Sequence, residues 1–310
     1  MRKVEYKDTE IAVKKKLGQN FLTDRNITRK IVTASGAGPE ENILEIGPGF
    51  GALTREIIDV CPAFTVIEKD RRLAEFIRTE YPQLNLIEGD FLEIDLNPLA
   101  EEKPLRVLGN IPYSITTPIL FRLLEYRQSL LSATLMMQHE VAMRIVAKPR
   151  TKEYGILAVQ MQASFDVDYL FKVGRKVFRP QPNVDSAVIR MTPKKEERLE
   201  DQPGFSRFVR TAFHQRRKTL LNNLKESYNL ESVDSNTLTL RAEALSIEDF
   251  FKLFSQLRPL SEEISREKVD TINTCHWTPA IPFDCIHAPF QLFRILPSPR
   301  FKPNDLLFQL

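Results

Sequence analysis

An amide, a backbone kink and an aromatic face follow one another at Asn110-Ile111-Pro112-Tyr113. The side-chain carbonyl of Asn110 and the main-chain carbonyl of Ile111 can each accept one hydrogen of an exocyclic amine, while Tyr113 stacks on the ring that carries it. That chemistry suits a nucleobase. Taken alone, the tetrapeptide reads more readily as an Asn-X-Pro turn that ends a strand, so the choice rests on its surroundings. The preceding run Leu105-Arg106-Val107-Leu108-Gly109 has the apolar density of a buried strand. It sets the tetrapeptide at the carboxyl edge of a sheet, where open α/β sheets bind ligands.

Other strand ends carry complementary chemistry. A strand over Asn42 to Ile46 runs into glycines at 47, 49 and 51, and a helix from about Ala52 to Val60 follows. Such a turn lets a ligand approach the backbone, and the helix start offers amides to an anion. The third glycine comes one residue too early for a dinucleotide fingerprint, so the loop fits a carboxylate better than a pyrophosphate. The next strand, Ala63 to Ile67, ends in Glu68, which can accept both hydroxyls of a ribose or stand as an ordinary charged strand end. A helix over Arg71 to Glu80 and a strand over Leu84 to Ile87 lead to Gly89-Asp90-Phe91, where Asp90 can accept the amino group of an adenine. A carboxylate-sized anion site, a ribose acceptor and an adenine-amine acceptor are the parts that S-adenosylmethionine needs. It lacks pyrophosphate, and so displaces a nicotinamide cofactor as the expected ligand.

The elements that hold these groups alternate strand and helix, which predicts a Rossmann-like α/β sheet. Asp24 is suited to N-cap a helix to Ala34, and Gly18-Gln19-Asn20-Phe21-Leu22 lies just before it. Beyond the tetrapeptide come a helix around Phe121 to Tyr126, a strand over Ala133 to Met137 and a helix opening at Gln138. A helix from Gly155 to Ala163, a strand over Val167 to Val173 and a last strand after Val184 complete the set. His139 reads as an ordinary imidazole at a strand-helix junction, because no acid-base-nucleophile spacing surrounds it. In Val177-Phe178-Arg179-Pro180-Gln181-Pro182 two prolines stiffen a loop that presents Phe178 as a second stacking face. Lys172, Arg175, Lys176 and Arg179 give that edge an attraction for phosphates.

The composition shifts after Met191, and the expected division is 1–192 for a catalytic part with a basic N-terminal arm, 193–260 for a helical part, and 261–310 for a tail of unassigned role. The helical part opens with an amphipathic pattern from Phe205 to Leu224, read as one helix. Phe205, Phe208, Val209, Ala212, Phe213, Leu220 and Leu224 fall on one arc, with Arg207, Arg210, His214, Arg217, Lys218 and Lys225 opposite. A stripe of one sign invites RNA phosphates. Helices near Thr237 to Arg241 and Ile247 to Leu257 complete a small bundle.

The 310 residues are 42% hydrophobic and 27% charged with a net charge of +3, an ordinary globular composition whose global balance points to no particular partner. Cys61, Cys275 and Cys285 form neither a metal-site spacing nor an even disulfide framework, which suits a reducing compartment. With no apolar run of membrane-spanning length and no signal-peptide core, a cytoplasmic protein without a metal is expected.

Five segments in order resemble the KsgA family of ribosomal RNA adenine dimethyltransferases: 18–22, 45–54, 110–113, the pair 177–180 and 184–188, and Arg216-Arg217-Lys218-Thr219-Leu220. The resemblance covers about Lys14 to Leu257 and implies a class I S-adenosylmethionine-dependent methyltransferase sheet with a small all-helical C-terminal domain. It implies transfer of two methyl groups to each of two adjacent adenosines in the hairpin loop near the 3′ end of 16S rRNA, within the small ribosomal subunit or its precursor; a monomer is expected. Carried over, Asn20 and Leu22 border the cofactor, Gly47 and Gly49 receive its methionine portion, Glu68 its ribose and Asp90 its adenine amine. Asn110 lies between cofactor and target, Ile111 shares the amine, and Tyr113 and Phe178 enclose the target base. The tail has no counterpart in the family, and His214 stands where a small polar residue is expected. Two alternatives stay open: a relative that methylates large-subunit rRNA, and an assembly factor that recognises an immature subunit through its basic surface.

Overall fold

The computed structural model describes residues 3–6, 9–12, 20–195 and 200–260; Gly18, Gln19, Cys275, Cys285 and the tail reading for 261–310 lie outside them. A short hairpin, β1 (Lys3–Tyr6) with β2 (Thr9–Ala12), precedes β3 (Phe21–Leu22) and α1 (Arg25–Ser35). The carboxylate of Asp24 accepts the amides of Asn26 and Ile27, and Gly36 ends α1 at φ 71°, so this helix begins where its capping residue dictates.

Strands and helices then alternate: β4 (Asn42–Ile46), α2 (Ala52–Ile58), β5 (Thr65–Glu68), α3 (Arg71–Glu80), β6 (Asn85–Glu88), β7 (Leu105–Asn110), α4 (Thr116–Glu125), β8 (Leu130–Gln138), α5 (His139–Ile145), α6 (Ile156–Ser164) and β9 (Phe165–Val173). The two-residue β10 (Phe178–Arg179) pairs with β3, and β11 (Ser186–Pro193) closes the sheet. Seven strands lie in the order β6-β5-β4-β7-β8-β11-β9. The first five run parallel and β11 runs antiparallel to both neighbours, the expected Rossmann-like methyltransferase sheet. The chain winds outward from β4 to β6, then returns to the other flank of β4 as β7, so the crevice between the carboxyl ends of β4 and β7 is the switch point.

Alternate strand residues feed opposite faces. Leu44, Ile46, Ile67, Leu105 and Val107 pack with α4 and α5 on one face, while Ile43, Val66 and Leu108 pack with α1, α2 and α3 on the other. Helix α4 starts five residues before the expected Phe121, because Pro118 falls in its first turn, where the missing amide loses no helical bond.

The C-terminal part comprises α7 (Gln202–Ala212), α8 (Leu220–Leu224), β12 (Tyr228–Asn229), α9 (Ser235–Thr239), α10 (Ile247–Gln256) and β13 (Arg258–Pro259). The single helix expected over Phe205 to Leu224 is two helices joined by a turn. Asn223 Nδ2 donates to the carbonyls of Ala212 (2.7 Å) and Gln215 (3.3 Å), and the Leu220 amide donates to Leu240 (2.8 Å). These bonds take up groups that a continuous helix would use itself. The apolar arc still points inward: Phe205, Phe208, Val209, Ala212, Phe213, Leu220 and Leu224 are buried in a third core with Ala158, Val159 and Ala163 of α6. Tyr154 joins that core and donates its hydroxyl to the Leu245 carbonyl at 2.9 Å. The described residues form one compact unit, and no described helix is long and apolar enough to cross a membrane.

Candidate active site

The loop from β4 to α2 places Gly47, Gly49 and Gly51 at φ 63°, 60° and 73°. At Gly49 a side chain would also be crowded: a Cβ there would lie 3.2 Å from the ring of Phe21. The Gly49 amide donates to Glu68 Oε2 (3.2 Å) and the Asp70 amide to Glu68 Oε1 (2.8 Å), so one buried carboxylate ties the glycine turn to the end of β5. Burial pushes the Glu68 carboxyl above its usual range, against the pull of these two amides. Each oxygen of Glu68 has accepting capacity beyond the bond it makes.

Below the turn lies a second carboxyl that sequence reading passed over. Glu45, 1% exposed, accepts the Thr54 hydroxyl at 2.7 Å. Burial raises its pKa to about 8, with the Thr54 bond opposing and the nearby Glu68 charge adding, so it carries a proton at neutral pH.

The Gly89 amide donates to the Glu68 carbonyl (3.0 Å), which brings Asp90 beside the end of β5. Asp90 Oδ1 accepts the Leu92 amide (3.1 Å), and Oδ2 pairs with the ammonium of Lys69, a partner that no sequence pattern signals. At the end of β7, Asn110 Nδ2 donates to the Asn20 carbonyl at 3.1 Å, which turns the amide nitrogen aside and leaves Oδ1 as its accepting end. Ile111 is buried, and its amide donates to Met136 (3.1 Å). Tyr113 is held by a 2.6 Å bond between its hydroxyl and Ser186 Oγ.

Asn20, Gly47, Gly49, Glu68, Asp90, Asn110, Ile111 and Tyr113 thus gather along one edge of the sheet, linked by the bonds Gly49 to Glu68, Gly89 to Glu68 and Asn20 to Asn110. Phe178 departs from its expected placement as an open stacking face. It is 0% exposed and packs in the core with Leu22 and Val173, because as part of β10 it pairs across from Leu22 and buries its ring. His139 donates its amide to the Asp185 carbonyl (3.0 Å) and sets its ring edge-on to Tyr169, the structural placement expected of it.

The basic residues split in two. Arg207 and Arg210 ride on α7, with the Arg210 guanidinium over the ring of Phe121, whereas Arg217 and Lys218 lie in the turn before α8. The fold brings Arg150, Lys152 and Arg241 to Arg216 and Arg217 around a concavity of about 440 Å³ with a single acid, Glu243. Arg216 donates to the carbonyls of Lys152 and Tyr154, both at 2.9 Å, which fixes the turn against the loop before α6. Distant sequence positions meet there, so no local pattern could reveal the cluster. No group of residues suited to a metal ion occurs among the described residues.

A family profile described as ribosomal RNA adenine dimethylase matches residues 11–258. The chain belongs to the ribosomal RNA adenine dimethylase family. The "Ribosomal RNA small subunit methyltransferase A" of Chlorobium limicola is 74% identical over 259 residues, covering 84% of this chain and 98% of the relative. Its counterpart in Chlorobium luteolum is 76% identical over 260 residues, covering 84% and 95%. A solved dimethyladenosine transferase from Plasmodium falciparum superposes with a TM-score of 0.66 at 25% identity, covering 80% of this chain and 98% of that one. The 23S rRNA methyltransferase ErmE superposes at 0.61 with 29% identity, covering 76% and 99%. As a ribosomal RNA adenine dimethylase, the protein is an S-adenosylmethionine-dependent methyltransferase. The edge fits that cofactor: a side-chain-free turn at positive φ, a buried carboxylate with accepting capacity beside it, and a second carboxylate at the next strand end.

Proposed function

We propose that this enzyme acts as a monomer on the small ribosomal subunit or its precursor, and dimethylates N6 of two adjacent adenosines in the hairpin loop near the 3′ end of 16S rRNA. High identity to proteins named for the small subunit supports the substrate. The observation that carries the site is the Asn20 to Asn110 bond, which orients the catalytic amide before any base arrives.

Gly47 and Gly49 receive the methionine portion of the cofactor, Glu68 its ribose and Asp90 its adenine amine, with Asn20 and Leu22 along the border. When bound, S-adenosylmethionine supplies a methyl group on a sulfonium, an activated leaving group that needs no strong base to attack it. Asn110 Oδ1 and the Ile111 carbonyl accept the two hydrogens of the target amine, which draws the nitrogen lone pair out of ring conjugation and aims it. Tyr113, anchored on Ser186, stacks on the target ring, and solvent takes the released proton. Phe178 is the second face of that enclosure in this reading, which requires its ring, fully buried in this structure, to become exposed. A loop adenosine reaches the pocket at less cost than one in a duplex. Arg207, Arg210, Arg217 and Lys218, with the cations around the concavity, hold the RNA backbone.

Mass spectrometry of rRNA fragments tests the proposal after incubation with cofactor and undermethylated subunits. Two neighbouring dimethyladenosines in 16S rRNA are expected; methylation of large-subunit rRNA alone would transfer the assignment to the alternative that acts on the large subunit.

A further inference from the structure

We propose that Lys69 sets the strength of cofactor binding by competing with the adenine amine for Asp90. The inference rests on reading Asp90 as the adenine acceptor. Lys69 stands between Glu68 and Asp70, both buried, yet its own side chain is 61% exposed and reaches across to the next strand end. There its ammonium pairs with Asp90 Oδ2, while Oδ1 already accepts the Leu92 amide. Both oxygens therefore have a donor before any ligand arrives. The neighbouring charges are engaged elsewhere, Asp70 with Arg72 (3.0 Å) and Glu88 with Arg78 (3.3 Å). Among the described residues no other cation pairs with Asp90.

An ammonium donates more strongly to a carboxylate than an aromatic amine does, so the adenine must displace Lys69 or share an oxygen with it. A pair at a water-exposed edge is weak, which makes Lys69 a tuning residue and not a block. The donor and its demethylated product carry the same adenine, so the competition weakens both equally and favours product release.

The test is calorimetric binding of S-adenosylmethionine and S-adenosylhomocysteine to the full-length protein and to Lys69→Met, which keeps most of the stem and removes the charge. Dissociation constants about two- to fivefold lower for both ligands are expected, a gap that narrows with added salt as the pair is screened in the parent. Unchanged or weaker binding overturns the proposal. Asp90→Ala, which removes the acceptor altogether, separates the two layers: if it leaves both affinities unchanged, the reading of Asp90 itself is wrong. If Lys69→Met tightens binding as much in the Asp90→Ala background as in the parent, Lys69 acts through its charge alone and the competition is refuted.

Discussion

Asn110 has one end of its amide committed to the chain and the other turned to chemistry, and that division makes it separable from cofactor binding. Asn110→Ala is expected to lower methyl transfer by at least about a hundredfold, the scale of losing a positioned polar group at a reacting centre, while cofactor affinity changes little. Tritium incorporation and calorimetry measure the two; near-normal transfer would remove Asn110 from the mechanism. Glu45 makes a pH prediction. Its folded pKa of about 8 exceeds the 4.5 of a free glutamate, so the folded state holds an extra proton between those values and stability falls as pH rises through that window, levelling above it. Glu45→Gln abolishes that slope. Its stability relative to the parent should climb from pH 5 to pH 8 by on the order of a few kcal/mol, and a pH-independent gap in urea unfolding would show Glu45 ionised throughout. The acceptors at strand ends were legible because a strand followed by glycine, Glu, Asp or Asn declares what its edge can bind. Lys69 and Glu45 were not, since one acts across to a neighbouring strand and the other through depth of burial, and neither leaves a mark in local pattern.

At the level of elements, the turn between α7 and α8 shows how a pattern can be right about faces and wrong about backbone. Every residue of the predicted apolar arc is buried, but Asn223 and Leu240 hold part of the supposed long helix out of helical conformation. Asn223 also accepts the Gln215 amide (3.2 Å), so its one side chain braces the turn carrying Arg216 and Arg217 by three bonds. Asn223→Ala is expected to destabilise the protein by about 1–3 kcal/mol, to weaken RNA binding and to spare cofactor affinity. Unaltered binding to undermethylated subunits would detach the turn from RNA recognition. The sheet elements were far more legible, because buried strands bounded by glycine or by a capping Asp leave little choice of register. The start of α4 was less legible: Pro118, a residue that breaks helix interiors, lies in its first turn, where it is tolerated.

Across the whole molecule, the cofactor edge and the basic concavity draw on residues far apart in sequence, and their joint action is an electrostatic question. Replacing Arg217 or Lys218 by Ala should reduce the slope of log affinity against log salt by about one for each phosphate left without its cation, and weaken binding to all RNA sequences alike. A loss confined to one sequence would instead indicate base reading. The third core binds these two functions into one body. Ala158, Val159 and Ala163 of α6 meet Phe205, Phe208 and Phe250 there, and none of those rings has any exposed area. Severing the chain near residue 192 should therefore not liberate a minimal enzyme: expressed alone, the first half would turn a greasy flank to water and collect in the insoluble fraction, and recovery of a well-behaved fragment would show that α6 needs no cover.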